Sequence, residues 1–196
     1  MAESKVIAVG RRAKDFSLPD QDGRQVLLSS FRGKRILLSW HPLAWTRVCA
    51  QQMKSLEKNR RIFAKLNTVA LGLSVDTVPS KKAWAATLKI RETRLLSDFW
   101  PHGKTAKSLG LFRSNQGFSE RANVILDENG KAIFVKVYPI RELPDIGEII
   151  AYLKELAQFY PEHIKKEDKN FFYPCMSYFT KEEQDKMLSE FYEFDR

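Results

Sequence analysis

The chain has 196 residues, 43% hydrophobic and 29% charged, which is the make-up of a globular protein with one ordinary domain and room for an appendage. No stretch approaches the ~20 consecutive apolar residues of a membrane span, and MAESKVIAVGRRAKDF lacks the apolar core and cleavage site of a secretory signal, so a cytoplasmic protein with reduced thiols is expected. The formal net charge is +9, but Lys and Arg are spread along the chain without a basic block or nucleic-acid motif, so the excess reads as a solvated basic surface rather than a nucleic-acid interface.

AKDFSLP (13–19) alternates apolar and polar residues and ends in the turn DQDGR, which predicts a short strand. QVLLSSF follows, then a second turn, RGKR. ILLSW (36–40) is a continuous apolar run bounded by turns, as in a strand buried on both faces. After Thr46 the period changes: Met53, Leu56, Phe63 and Leu66 fall on one helical stripe among charged residues. TVALGLSV (68–75) is a second buried strand, and DTVPSKKAWAATL predicts a helix. RLLSD is a short strand and HGKTAKSLGLF a short helix. ANVILDENGKAIFVKVY (122–138) is a hairpin around Asp-Glu-Asn-Gly. DIGEIIAYLKELAQF is an amphipathic helix with Ile146, Ile149, Ile150, Leu153 and Leu156 on its inner side. Strands alternating with helices, closed by an antiparallel hairpin, predict an α/β domain over residues 1–158: a central mixed sheet flanked by helices on both faces. Residues 159–196 differ in composition, being aromatic-rich and acidic toward the end. They predict an appended helical hairpin after a boundary at Pro161.

The chain has two cysteines, 126 positions apart, and no C-x-x-C. A disulfide framework, a thioredoxin-type dithiol and a cysteine-rich zinc site are therefore not expected. Cys49 sits in WHPLAWTRVCAQQM, in the expected first turn of a helix whose N-cap is Thr46. Unpaired N–H groups and the helix dipole there favour a thiolate, the nucleophilic form. Pro42 stiffens the loop without adding a donor, the Thr46 hydroxyl can donate or accept, and Gln52 places an amide one turn further on. By spacing alone, a buried small hydrophobe is an equally good account of Cys49, since cysteine is among the most buried residues.

The pattern Pro42-x-x-x-Thr46-x-x-Cys49, after a buried strand and at the head of a helix, resembles the active-site loop of the peroxiredoxins, thiol peroxidases of the alkyl hydroperoxide reductase/thiol-specific antioxidant group with a thioredoxin-like fold. GRRAKDFSLPDQDGRQVLLSSFRGKRILLSW, LLSDFWPHGKTAKSLGLF and ERANVILDENGKAIF are similar to further segments of that family, the last pointing to Arg121. The resemblance spans roughly residues 5–157. It implies that Cys49 attacks the terminal peroxide oxygen and becomes a sulfenic acid. Arg121 would favour the thiolate and polarise the peroxide, and Thr46 would hydrogen-bond the reacting oxygens. Backbone N–H groups near Val48 and Cys49 would hold the second oxygen. Pro42 would screen the sulfur, and Gln52 would support the arginine. The implied partners are a hydroperoxide substrate, an external thiol such as thioredoxin or a low-molecular-weight thiol, and a second copy in a homodimer; no cofactor, nucleic acid or membrane is implied. A non-catalytic peroxide sensor, signalling through the C-terminal hairpin, is the alternative.

The loop departs from the family at His41 and Trp45, where other residue types are usual; His41 and His102 are expected to pack rather than react. The position five residues after Cys49 is Lys54, so resolution by a cysteine there is excluded. Cys175 is a possible resolving residue, but its flanks, YPCMSYF, do not match those of relatives with a C-terminal resolving cysteine. A cycle using one cysteine and an outside thiol is the other route. EHIKKEDKNFFYPCMSYFTKEEQDKMLSEFYEFD resembles the last two helices of hemerythrin-like domains, with His163 and Glu167 on one helix face as weak candidate iron ligands. The chain has three histidines in all, so one chain lacks the set such a site needs. The plainer expectation is a hairpin whose Phe171, Phe172, Tyr178, Phe179 and Phe191 pack on the core or across a dimer.

Overall fold

A computed structural model describes residues 5–167, 170 and 173–194. The chain divides into two compact units, Met1–Ile150 and Ala151–Arg196.

The first unit is built on a five-stranded mixed sheet. The predicted buried run ILLSW becomes β3 (Arg35–Trp40), every residue of which is buried. β3 pairs in parallel with β4 (Thr68–Ser74), which pairs in parallel with β5 (Arg94–Ser97). On the other side β3 meets β8 (Arg121–Leu126) antiparallel, and β8 turns back into β9 (Ala132–Tyr138). The predicted Asp-Glu-Asn-Gly turn forms: Asp127 Oδ1 accepts from Asn129 N at 2.9 Å and Lys131 N at 2.7 Å, and Gly130 adopts φ 79°. A two-stranded ribbon, β1 (Ser17–Pro19) with β2 (Gln25–Leu27), precedes the sheet, and another, β6 (Phe112–Arg113) with β7 (Phe118–Ser119), precedes β8.

Three helices complete the connections between strands: α1 (Arg47–Lys65), α2 (Val78–Leu88) and α3 (Lys104–Ser108). The apolar stripe predicted for α1 is buried at Met53, Leu56 and Phe63. It packs tightly on β4: a Cβ on Gly72 would lie 2.4 Å from Met53 Sδ and 2.8 Å from Leu95 Cδ2, so only glycine admits the helix this closely. β3, β4 and β5 run in parallel and β8 runs against them. Their ends therefore bring together the loop after Trp40, Asp76, Asp98 and Arg121 at one edge of the sheet, where open α/β sheets place their sites.

α4 (Ile146–Glu167) spans the division between the units. The boundary expected at 158/159 on the strength of Pro161 falls inside this helix. The second unit continues with α5 (Tyr173–Met176) and α6 (Lys181–Phe194). α6 opens on a reciprocal capping arrangement in which Thr180 N donates to Glu183 Oε2 at 2.8 Å and Glu183 N to Thr180 Oγ1 at 3.3 Å. Tyr178 and Phe179 are exposed within this unit. The side chains of Phe171, Phe172, Phe191, His163 and Glu167 lie outside the described residues.

Candidate active site

Cys49 lies in the first turn of α1 and is fully buried. The first intrahelical bond is Ala50 N–H to Thr46 O at 2.9 Å, so the N–H groups of Arg47, Val48 and Cys49 precede the ladder and face the helix entrance. Thr46 takes the expected N-cap position with extended backbone angles, φ −93° and ψ 147°. Its hydroxyl does not cap. It donates instead to Leu43 O at 3.2 Å, inside the loop. Trp45, at φ 66°, turns the chain sharply before the helix, and Pro42 is buried in the loop.

The sheet carries Arg121 to the sulfur across 72 positions of sequence. Trp40 of β3 is in register with Ala122 of β8, which puts Arg121 beside the loop that begins at His41. Arg121 Nη2 donates to Cys49 Sγ at 3.3 Å. The guanidinium is buried and held by three further bonds: Nε and Nη2 to Ile140 O at 3.0 and 2.8 Å, and Nη1 to Gln52 Oε1. Gln52 is oriented in turn, its Nε2 donating to Ser39 Oγ at 2.8 Å and Trp40 O at 3.1 Å. Ser39 Oγ donates to Asn123 Oδ1 at 2.8 Å, and Asn123 Nδ2 to the Tyr138 hydroxyl at 3.4 Å. This chain of buried polar groups fixes the fork of the arginine. The bonds Arg121 makes are to a carbonyl, an amide and the sulfur, so its buried charge gains most when Cys49 is a thiolate.

The structure thus brings Arg121 and Gln52 to Cys49, with Val48 in the same first turn, Thr46 at its N-cap and Pro42 buried in the loop before it. Cys175 is a free, half-buried thiol in α5 of the second unit. Among the described residues no cluster of three or more His, Cys, Asp or Glu is arranged to hold a metal ion. His102 packs as expected, edge-on to Phe99 and Phe112, with Nε2 2.7 Å from Gly117 O. His41 is fully buried against Trp84, ring centroids 5.2 Å apart. Burial, then Lys81 and Arg121, hold its pKa well below the usual 6.5; the Leu43 backbone acts the other way but forms no hydrogen bond to either ring nitrogen.

Sequence reasoning missed several supports. Asp76 anchors the loop, its Oδ2 accepting from Ala44 N at 2.8 Å and from Ser74 Oγ at 2.6 Å. Ser119 Oγ donates to His41 O at 3.0 Å, and Asn123 continues the polar chain. Lys81 was also passed over, although it shares the face of α2 with Trp84 and Ala85, where a lysine interrupts an apolar pattern.

The sequence profile of the AhpC/TSA family matches residues 9–135. The chain is 35% identical over 141 residues to the alkyl hydroperoxide reductase E of Mycobacterium tuberculosis, covering 71% of this chain and 92% of that protein. It is 31% identical over 160 residues to a peroxiredoxin of Thermotoga maritima, covering 79% of this chain and 74% of that one. Its fold matches the crystal structure of the peroxidoxin BcpB from Mycobacterium tuberculosis with a TM-score of 0.67 at 24% identity, over 76% of this chain and 97% of that one. With the thioredoxin-like sheet and the family profile in agreement over most of the first unit, the chain belongs to the AhpC/TSA family.

Proposed function

We propose that the protein is a thiol-dependent peroxidase that reduces hydrogen peroxide or small organic hydroperoxides through a sulfenic acid at Cys49. The observation that carries this reading is the buried Cys49 sulfur at the head of α1 with the Arg121 guanidinium 3.3 Å away. Relatives named alkyl hydroperoxide reductase and peroxiredoxin support it.

In this reading the thiolate attacks the terminal peroxide oxygen. The sulfur–oxygen bond forms, the oxygen–oxygen bond breaks, and the leaving alkoxide takes one proton to become the alcohol. Arg121 and the first-turn N–H groups near Val48 and Cys49 stabilise charge on the oxygens as it develops. Thr46 keeps its lone pairs for the substrate while its proton is engaged by Leu43 O. Pro42 walls the sulfur, and Gln52 holds Arg121 in place. The sulfenic acid is reduced by an external thiol, such as thioredoxin or a low-molecular-weight thiol, or by Cys175. We further assign the protein to the cytoplasm, as a homodimer whose chains each pair a peroxidase domain with the helical hairpin. No helix among the described residues is long and apolar enough to cross a membrane. The sensor alternative has no observation in its favour.

The test is the intact mass of the unreduced protein after one equivalent of hydrogen peroxide, for the wild type, Cys49→Ser and Cys175→Ser. Gain of an oxygen that depends on Cys49 alone supports an outside reductant. Loss of two hydrogens, or a linked dimer needing both cysteines, makes Cys175 the resolver. No modification of Cys49 within seconds defeats the peroxidase reading.

A further inference from the structure

A buried lysine stands behind the active-site loop, and none of the roles assigned above uses it. Lys81 lies in the first turn of α2, is 0% exposed, and its Nζ has no hydrogen-bond partner among the described residues. The loop that leads to Cys49 docks on this end of α2 at three points. Ala44 N donates to Asp76 Oδ2 at 2.8 Å, Trp45 Nε1 donates to Ser80 Oγ at 3.0 Å, and the His41 ring packs at a tilt against Trp84. Ser80 precedes Lys81 and Trp84 follows it by one helical turn on the same face, so these contacts surround Lys81. The nearby carboxylates bond to other groups: Asp76 Oδ2 accepts from Ser74 and Ala44, and Asp98 accepts from Thr105 N at 3.0 Å and Ala106 N at 2.8 Å. His41, buried in the same place, has neither ring nitrogen hydrogen-bonded among the described residues. An unpartnered buried ammonium is costly to a fold, and a position serving packing alone would be better filled by an apolar side chain.

We propose that Lys81 is a positioning residue for the reaction of Cys49: a second cation, beside Arg121, whose charge follows the state of the sulfur. Its ammonium is favoured opposite the thiolate and less favoured once the sulfur becomes a neutral sulfenic acid. The electrostatics agree. Burial pulls the Lys81 pKa from 10.5 to about 8, while Asp76, then Cys49 and then Asp98 hold it up. Coupling is reciprocal, so an ammonium sustained by the thiolate sustains the thiolate. His41, facing both Lys81 and Arg121, stays neutral because of its burial and those two cations, and so adds no competing charge.

The proposal rests on Cys49 being the reacting sulfur, and its test is arranged to fail separately. The pH dependence of Cys49 alkylation by iodoacetamide, followed by intact mass, is compared in the wild type and Lys81→Met. The midpoint is expected to rise by about one unit in the variant. Oxidation by hydrogen peroxide should slow about tenfold at pH values below both alkylation midpoints, and the two rates should converge above them. An unchanged alkylation profile in a folded Lys81→Met protein overturns the proposal. Failure of the wild type to react with peroxide overturns the peroxidase reading instead, and the alkylation profile still reports the coupling. A second measurement needs no variant: the 13Cε titration of Lys81 by NMR before and after Cys49 is alkylated. A fall in the titration point supports the proposal, and no change overturns it.

Discussion

Replacing Lys81 by methionine should make the protein more stable, and the gain should depend on pH in a defined window. The side chain is wholly buried with no hydrogen-bond partner at Nζ among the described residues, and methionine matches its length without a charge. Burial is the largest influence on its pKa, which lies at about 8 in the fold against 10.5 for an ordinary lysine. A gap of that size corresponds to about 3 kcal/mol against the folded state wherever lysine is charged in both states. Below about pH 8 both states hold the proton and the full penalty applies. Between about pH 8 and 10.5 the unfolded chain still binds a proton that the folded chain has lost, so the stability of the wild type rises with pH relative to the variant. Above 10.5 the penalty is gone. Guanidinium unfolding of reduced wild type and Lys81→Met at pH 7, 9 and 10.5 measures this directly. The expected result is a lead of about 3 kcal/mol for the variant at pH 7 that shrinks through the window. A variant less stable than the wild type at pH 7, or a difference independent of pH, refutes the reasoning and indicates that Lys81 has a partner in solution.

Arg121→Met removes the charged donor 3.3 Å from Cys49; loss of about 1.5–3 kcal/mol of charge-assisted bonding should slow sulfenic acid formation roughly 10- to 100-fold, as read by stopped-flow oxidation. His41→Phe addresses acid stability. The folded state holds His41 neutral, with its pKa well below 6.5, whereas the unfolded chain takes up a proton below that value. Wild-type stability should therefore fall as pH drops below about 6.5, and His41→Phe should flatten that fall in unfolding curves measured from pH 7.5 to 5.

The sequence by itself determined the order of elements and most of the chemistry. Continuous apolar runs between turns marked β3 and β4, a change of period marked α1, and Asp-Glu-Asn-Gly marked the turn from β8 to β9, because hydrophobic periodicity and turn residues are local properties of a chain. The family resemblance assigned Arg121 to the site, although nothing local in ERANVIL shows that its side chain reaches a sulfur 72 positions away. Tertiary structure alone decided that reach, through the antiparallel register of β3 and β8, and it decided the buried relay from Gln52 through Ser39 to Asn123. It also turned the Thr46 hydroxyl to Leu43 O rather than into a cap, since the sharp turn at Trp45 brings that carbonyl within range. The course of α4 through Pro161 to Glu167 was likewise not legible, because proline marks only a tendency to break a helix. Lys81 is the clearest case. In SKKAWAATL it stands out only by sharing a face with Trp84 and Ala85, and the packing of that face in the fold buries it. Burial depends on what the rest of the chain places over a residue, and no window of sequence contains that information.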